Sequence, residues 1–251
     1  MSKKVISLHI STGTYSTFVC QIIELAVRQA SSYVCVANVH MCMEAVKSKT
    51  YAKAVNCANL VTPDGMPLAK AIQLLYGVKQ DRVAGMDLLP DLLAEAEQKE
   101  LGVFFYGGTT SMLVQTKLFV NANYPLLSNQ HYYSPPFRPL TVVEEKKVVE
   151  SIKASGAHLV FVALGCPKQE RWMASMKGRI NACMIGIGGA LPVMIGMQKR
   201  APKWMQQLSL EWLYRLAQEP KRLFKRYLIT NTLFILLFTK QIIKHFFNRS
   251  K

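Results

Sequence analysis

The sequence predicts an α/β protein with a mostly parallel sheet, helices on both of its faces, and a basic helical appendage at the C-terminal end. Two observations lead to this prediction. Short apolar runs alternate with longer segments of helical periodicity, which is typical of parallel strands joined by helices. Basic residues then accumulate beyond the last of these runs. Half of the 251 residues are hydrophobic, so a full core can form and a disordered protein is excluded.

The elements follow one another in a regular order. Six apolar runs are predicted as strands, at residues 5–10, 33–38, 59–62, 103–106, 159–164 and 182–187. Seven segments are predicted as helices, at residues 17–30, 41–54, 67–76, 87–99, 111–124, 141–155 and 169–177. Segment 132–139 contains three prolines and no periodicity, so we predict a loop there. We expect one α/β domain over residues 1–196 and the appendage over residues 197–251.

The charge of the chain is concentrated in its last part. The formal net charge is +16, from 31 Lys and Arg against 15 Asp and Glu. Residues 1–196 carry 19 basic and 13 acidic side chains, whereas residues 197–251 carry 12 and 2. Beyond Pro220 there are eight basic residues and no acidic one. Such an excess implies an anionic partner: nucleic acid, a phospholipid surface or a phosphorylated substrate.

Cysteine spacing and the N-terminus exclude several other classes of protein. The six cysteines form no C-x-x-C pair and no closely spaced set with histidine, which argues against a zinc site and a disulfide framework. The N-terminal segment has two lysines but lacks the apolar core of a signal peptide. We therefore expect a protein that is not exported and that holds no metal.

Candidate functional residues follow the predicted strands, because ligands of open α/β sheets bind beyond the carboxyl ends of the strands. They are Asn38, Asp64 with Gly65, Gly107 with Gly108, and the segments 165–170 and 186–189, which begin with Gly165 and Gly186. Glycine turns that open a helix leave backbone N–H groups free for a phosphate. Neither G-x-G-x-x-G after the first strand nor G-x-x-x-x-G-K-[ST] occurs, so the dinucleotide and P-loop interpretations lose their main support. The chain also lacks a D-x-D motif for a metal-bound nucleotide diphosphate.

Four segments, in this order along the chain, are more specific than the occurrence of glycine after strands. They are T-P-D-G-M-P at 62–67, D-R-V-A-G-M-D at 81–87, G-C-P-K-Q-E at 165–170, and a block over 200–222 that contains E-W-L-Y-R-L. Together they resemble the WecG/TagA/CpsF glycosyltransferase family of bacterial cell-envelope polysaccharide synthesis. The resemblance runs from about residue 33 to residue 227.

The resemblance implies a Rossmann-like domain that transfers a sugar from a UDP-sugar, with inversion and without a metal or other cofactor. The implied acceptor is a sugar linked by diphosphate to a polyprenyl lipid, and N-acetylmannosamine is the family's best-known donor sugar. The family's proposed catalytic base falls on Asp64. Its strand-end asparagine falls on Asn38, its motif glutamine on Gln169, and its C-terminal arginines on Arg215 and Arg222.

The residues themselves leave alternatives open at several of these positions. Asp64 precedes a predicted helix, so it is a candidate base for the acceptor hydroxyl and equally a candidate helix cap. Gln169 suits sugar hydroxyls or a uracil edge. Arg200, Arg215 and Arg222 offer the forked donors that bind diphosphate, and the alternative is a solvated basic face.

Two positions depart from the family's common pattern. The segment 36–38 reads V-A-N and lacks the threonine that members often carry two residues before the asparagine. The segment 188–192 reads G-G-A-L-P and has proline where members often carry aspartate. Both departures lie where the sugars would be recognised, so they bear on which sugar is transferred.

The uncharged segment 227–239 helps to predict where the protein lies relative to the membrane. It has 13 residues, whereas a membrane-spanning helix needs about 20. Basic residues on both sides favour a helix that lies in the surface of an anionic membrane, on its cytoplasmic face. The alternative is a helix in the core or in the interface of a homo-oligomer. A different class of function, a non-catalytic nucleic-acid-binding protein, is the second candidate that the net charge suggests.

Overall fold

A computed structural model describes residues 1–208 and 210–247 of the chain. Its strands are β1 Ser2–Val5, β2 Leu8–Ser11, β3 Ser32–Ala37, β4 Leu60–Pro63, β5 Val103–Gly107, β6 Gln130–Tyr133, β7 Leu159–Ala163 and β8 Cys183–Gly186. The last six form one all-parallel sheet in the order β4-β3-β8-β7-β5-β6. All of their carboxyl ends therefore meet at one edge.

Helices connect these strands and continue beyond the last one. They are α1 Tyr15–Val27, α2 Val39–Lys47, α3 Lys49–Asn56, α4 Met66–Tyr76, α5 Gly85–Gln98, α6 Thr110–Asn123, α7 Val142–Ala154, α8 Lys168–Met176, α9 Ala190–Met194, α10 Lys203–Gln207, α11 Glu211–Gln218 and α12 Pro220–Phe247. The predicted fold class, a parallel sheet with flanking helices and a helical C-terminal part, is confirmed.

Two apolar cores lie on opposite faces of the sheet. Strand β3 shows the alternation, because Tyr33 and Cys35 point into one core whereas Val34 and Val36 point into the other. The first core is closed by residues of α2, α3, α4, α7, α8 and α12 and of the β1–β2 pair. The second is closed by α1, α5, α6 and α9. Helices thus cover both faces, which leaves the carboxyl edge of the sheet as the place where loops converge.

The prediction of a single strand over residues 5–10 was wrong. The chain turns back at Ile6 and Ser7, and β1 pairs with β2 in an antiparallel hairpin outside the main sheet. Ile6 adopts a left-handed conformation with φ of 55°, which is unusual for a β-branched residue. Because an apolar residue occupies the turn, the sequence gives no turn signal.

Two further segments differ from their predictions. The predicted helix 41–54 is divided at Ser48, whose hydroxyl accepts the N–H of Tyr51 and starts α3 as a new helix. Residues 132 and 133, predicted as part of a loop, belong to edge strand β6, which pairs with β5. The three prolines that suggested a loop all lie beyond the end of this strand, where they remove no hydrogen bond from its pairing with β5.

Helix α12 packs against the first core through Phe234, with Leu233, Leu237 and Phe238 beside it. Leu223, Thr230 and Phe234 are buried, and the Gln241 side chain accepts the N–H of Ile6 at 2.8 Å and donates to the carbonyl of Lys4 at 3.0 Å. The uncharged segment 227–239 is the middle of this helix. None of the helices over the described residues is both long enough and apolar enough to span a bilayer.

Candidate active site

The predicted site residues that follow the strands gather at the carboxyl edge of the sheet. Asn38 follows β3, Asp64 follows β4, and Gly107 ends β5. Because β3 and β4 are neighbours, Asn38 and Asp64 lie side by side, and the Asp64 N–H donates to the carbonyl of Ala37 at 2.8 Å.

The Asp64 carboxylate does not cap the helix that follows it. Gly65 is the N-cap residue of α4, and no side chain caps that helix. One Asp64 oxygen, Oδ1, instead accepts the N–H of Gly85 at 3.3 Å, at the start of α5. The cap alternative for α4 is thus wrong, although the carboxylate does satisfy one N–H of a different helix. Its remaining oxygen has no hydrogen-bond donor among the residues that the structure describes.

Burial makes Asp64 a stronger base than an ordinary aspartate. Loss of solvent raises its pKa from 3.8 to about 6, and the negative charge of Glu211 acts in the same direction. Two guanidinium groups, those of Arg82 and Arg215, oppose the rise in pKa, as does the Gly85 N–H. A carboxylate with a pKa near 6 is deprotonated at neutral pH and can still accept a proton effectively.

The Asn38 side chain caps a helix through its oxygen and leaves its amide nitrogen unpaired among the described residues. Its side-chain oxygen Oδ1 caps α2 by accepting the N–H of Met41 at 3.1 Å. The amide nitrogen Nδ2 has no acceptor among the described residues and is available to a ligand at the edge of the sheet. The cap fixes the side chain, so the free amide points in a defined direction.

Gln169 is buried under the end of β8. Its Oε1 accepts the N–H of Gly165 at 3.2 Å, and its exposed fraction is 4%. A Cβ on Gly186 would lie 2.8 Å from Gln169 Nε2, so this glycine makes room for the amide. These contacts show how Gln169 is held below the carboxyl edge. Contact of Gln169 or Gly186 with a substrate stays a prediction.

The backbone conformation at the end of β5 explains why both Gly107 and Gly108 are glycines. Gly107 and Gly108 have φ of 113° and 77°, and a Cβ on Gly107 would lie 2.7 Å from the backbone of Ala163. Close approach of β5 and β7 therefore requires Gly107. The turn leads into α6, whose N-cap is Thr109. Phosphate binding at Gly65, Gly107 and Gly108 stays a prediction.

Four charged side chains form a continuous network beside Asp64. Arg82 Nη1 lies 2.6 Å from Glu211 Oε2, and Arg82 Nη2 lies 3.3 Å from Asp87 Oδ2. The other oxygen of Asp87 lies 2.6 Å from Arg200 Nη2. The predicted arginine Arg200 is thus neutralised by a carboxylate of α5. Arg82, Asp87 and Glu211 were not predicted as site residues, although all three lie in the motif segments that carry the family resemblance.

Arg215 is the arginine that remains available at this site. It lies on α11, and a Cβ on Gly189 would be 3.0 Å from its Nη2. Among the described residues it forms no ion pair, yet its charge acts on Asp64. Arg215 also lines a cleft together with Arg200 and Glu211. An unpaired guanidinium in a cleft beside a carboxylate is suited to an anionic ligand.

Arg222 has a different environment from Arg215. Pro220 starts α12, so the two arginines belong to different helices. The Arg222 guanidinium pairs with Glu219, whose side chain lines the same cleft, and Arg222 is 60% exposed. It therefore lies at the rim of the cleft, and its contact with a diphosphate stays a prediction.

Glu170 of the G-C-P-K-Q-E motif is a core residue. Its side chain is fully buried, and Oε2 accepts the hydroxyl of Tyr51 at 3.0 Å. Burial raises the pKa of Glu170, which favours the neutral acid. A glutamate at a helix start commonly stays in solvent and interacts with the helix dipole, so the sequence does not indicate that Glu170 is buried.

The arrangement at the edge of the sheet can support a displacement reaction. It combines a carboxylate with a raised pKa, a free amide donor and an unpaired arginine on neighbouring elements. A group transfer to a hydroxyl needs a base for the hydroxyl proton and positive charge for the leaving group. No three His, Cys, Asp or Glu side chains in the described part of the chain are grouped so as to hold a metal ion.

Comparison with known proteins agrees with this chemistry. Residues 3–247 match the model of the Glycosyl transferase WecG/TagA/CpsF family. A protein of Bacillus spizizenii named N-acetylglucosaminyldiphosphoundecaprenol N-acetyl-beta-D-mannosaminyltransferase is 32% identical over 192 residues, which cover 76% of this chain and 73% of the relative. A protein of the same name from Bacillus subtilis is 31% identical over 186 residues, covering 74% and 71%. The chain therefore belongs to the WecG/TagA/CpsF family and is a glycosyltransferase.

Proposed function

We propose that this glycosyltransferase moves N-acetylmannosamine, or a related hexose, from a UDP-sugar to a sugar linked by diphosphate to a polyprenyl lipid, in envelope polysaccharide synthesis. The names of both relatives support the lipid-linked acceptor and the mannosaminyl group. The observation that carries the chemistry is the half-buried Asp64 carboxylate directly after β4, with its raised pKa. The family membership favours this proposal over a non-catalytic nucleic-acid-binding protein.

The proposed reaction is a single displacement. Asp64 takes the proton of the acceptor hydroxyl while that oxygen forms a bond to the anomeric carbon of the donor. The bond from this carbon to the phosphate oxygen of UDP breaks, and UDP leaves with the electron pair. One displacement inverts the configuration at the anomeric carbon, and a β product from an α-linked donor agrees with the names of the relatives.

Two groups are proposed to bind the substrates in this reaction. Arg215 stabilises the departing diphosphate, because its guanidinium is unpaired among the described residues and faces the cleft. Asn38 Nδ2 donates to a sugar hydroxyl beside Asp64. Arg215 comes from α11, so the C-terminal part of the chain would complete the active site.

The outer face of α12 supports association with an anionic membrane surface. Apolar side chains of this face are exposed, with Leu228 at 59%, Ile235 at 62% and Leu236 at 63%. Lys225 precedes this patch and Lys240 follows it. Apolar side chains between basic ones suit an interfacial helix, in which each basic residue near the surface contributes about 1 kcal/mol. A lipid-linked acceptor would place the enzyme at the cytoplasmic face of the membrane as a peripheral protein.

A donor screen tests this proposal. The full chain is incubated with a panel of UDP-sugars and with N-acetylglucosamine linked by diphosphate to a short polyprenyl chain, and products are read by mass spectrometry. We expect a product with UDP-N-acetylmannosamine that carries one additional N-acetylhexosamine. A product formed only with a different UDP-hexose would show that the donor sugar differs and that the reaction class is the same. The absence of a product with every UDP-sugar would contradict the proposal.

A further inference from the structure

The ion pair between Arg82 and Glu211 joins the C-terminal helices to the edge of the sheet. Both side chains are largely shielded from solvent, at 16% and 17% exposure, and their closest atoms are 2.6 Å apart. Arg82 also contacts Asp87 of α5, which in turn binds Arg200. Both terminal nitrogens of Arg82 are thus engaged by carboxylates that are not Asp64.

Asp64 is nevertheless within the electrostatic reach of this arginine. Arg82 favours the charged form of Asp64, as does Arg215, whereas Glu211 disfavours it. An arginine beside a carboxylate commonly forms two parallel N–H···O bonds with it. Here Asp64 accepts one hydrogen bond, from Gly85, and none from an arginine among the described residues.

A bidentate pair with Arg82 would impair a catalytic base. It would occupy the oxygen that must receive the proton, and it would stabilise the charged carboxylate. We infer that Glu211 is a positioning residue, which holds Arg82 away from Asp64 and so keeps the Asp64 carboxylate free to accept a proton. The inference rests on the proposed function only in its assumption that Asp64 is the base.

The location of Glu211 agrees with this role. It is the first residue of α11, and that helix has no buried residue among those described for it. The ion pair with Arg82 therefore contributes to docking the start of α11. Since Arg215 lies on the same helix, docking of Glu211 also sets the position of the second guanidinium that acts on Asp64.

The test is a titration of Asp64 in the free, full-length protein. The chain has only four aspartates, so labelling with aspartate that carries carbon-13 at Cγ gives four carboxyl signals. The signal of Asp64 is the one absent from Asp64→Asn. Its pKa is measured in the wild type, in Glu211→Gln, in Arg82→Gln and in the double variant. Glu95→Gln is the matched control, because Glu95 lies on α5 but pairs with Lys99 on the surface.

The two single variants should move the titration in opposite directions. In Glu211→Gln the freed Arg82 pairs with Asp64, and the pKa of Asp64 falls by about 1 unit. In Arg82→Gln a favourable charge is lost, and the pKa of Asp64 rises. Loss of the Glu211 charge alone also lowers the pKa of Asp64, so the double variant identifies the movement of Arg82. The fall caused by Glu211→Gln should be clearly smaller when residue 82 is already glutamine, and Glu95→Gln should not change the pKa.

A purely structural role for the ion pair gives a different pattern. If its loss merely undocks α11, both single variants expose Asp64 to water, and its pKa falls in both. That result, an unchanged pKa in Glu211→Gln, or an equal fall from this substitution with and without Arg82 would overturn the inference. Glu211→Asp, which keeps the charge, provides a second variant that should retain the wild-type titration. The titration needs no substrate, so failure of the sugar-transfer assay would leave it interpretable.

Discussion

At the scale of single residues, Asp64 combines a cost to stability with a proposed role in catalysis. Burial raises the pKa of its carboxyl group from 3.8 to about 6, so the folded protein resists ionisation of a group that ionises readily when the chain is unfolded. Charged Asp64 is thus unfavourable for folding at neutral pH. Catalytic groups often carry such a cost, because the site is shaped for chemistry and not for maximum stability.

This cost predicts an unusual pH dependence of stability. Between about pH 4 and pH 6 the unfolded chain loses the Asp64 proton while the folded protein keeps it, so the contribution of Asp64 to stability decreases as pH rises. Asp64→Asn should therefore be more stable than the wild type at pH 7.5, by about 3 kcal/mol. Denaturant unfolding at pH 7.5 and at pH 4 measures the difference, which should vanish at the lower pH. An equal effect at both pH values would show that the asparagine acts by packing.

The raised pKa of Asp64 also predicts the pH at which activity is lost in acid. A base must be deprotonated to act, so kcat/KM for sugar transfer should fall as pH decreases through about 6. An ordinary aspartate would place this limb near pH 4. Initial rates at low donor concentration, measured between pH 4.5 and pH 8.5 in about half-unit steps, locate the limb. Activity that remains constant down to pH 5 would contradict a raised pKa at the base.

At the scale of elements, α12 has two faces with different tasks. Its inner face buries Leu223, Thr230 and Phe234, of which Phe234 belongs to the first core. Its outer face exposes apolar side chains between basic ones, a pattern that stable cores do not require and that membrane surfaces favour. Removing the whole helix would therefore disturb the fold as well as any membrane contact, so substitutions on separate faces are the sharper experiment.

Substitutions on the outer face should separate membrane binding from folding. Leu228→Gln, Ile235→Gln and Leu236→Gln, combined in one variant, should weaken flotation with anionic liposomes at least about tenfold, since each loses apolar burial in the membrane surface. The unfolding free energy should change little, because all three side chains are exposed in the free protein.

The buried Phe234 provides the contrasting variant on the same helix. Phe234→Ala should lower the free energy of unfolding by about 3 kcal/mol, because it opens a cavity in the core. Undiminished liposome binding by the outer-face variant would indicate that α12 serves another contact, such as an interface between copies of the chain.

At the scale of the whole molecule, the charge distribution suggests how a diphosphate is handled. Two arginines, Arg200 and Arg215, and two carboxylates, Glu211 and Glu219, line the cleft. Of these arginines, Arg215 is unpaired among the described residues. We expect arginine to supply the positive charge that a metal supplies in other nucleotide-sugar enzymes. Transfer activity should accordingly persist in excess EDTA and change little on addition of Mg²⁺. A strict requirement for a divalent ion would contradict this account of the site.

Local patterns in the sequence predicted most of the fold. The apolar runs that became central strands β3, β5, β7 and β8 are buried on both sides, and such runs are unambiguous. The prediction failed where a local signal was missing or outweighed. Ile6 forms a turn without glycine, and the edge strand that contains Tyr133 is short and only partly buried.

The candidate site was predictable only in part. Asp64 and Asn38 follow neighbouring strands, so their meeting follows from the topology of a parallel sheet. The contact of Arg82 with Glu211 joins residues 129 positions apart, and its partner helix lies in the C-terminal part of the chain. No periodicity or spacing relates such a pair. Only the three-dimensional packing of α11 against the edge of the sheet reveals it.

Asp64 is the proposed base of a sugar transfer to a lipid-linked acceptor. The most direct test compares the wild type with Asp64→Asn in the transfer of N-acetylmannosamine from UDP to N-acetylglucosamine linked by diphosphate to a short polyprenyl chain. Circular dichroism first establishes that both proteins are folded. We expect turnover by Asp64→Asn to be lower by at least about a hundredfold, the usual scale for loss of a general base. Turnover by the folded variant at a rate close to that of the wild type would contradict this role of Asp64.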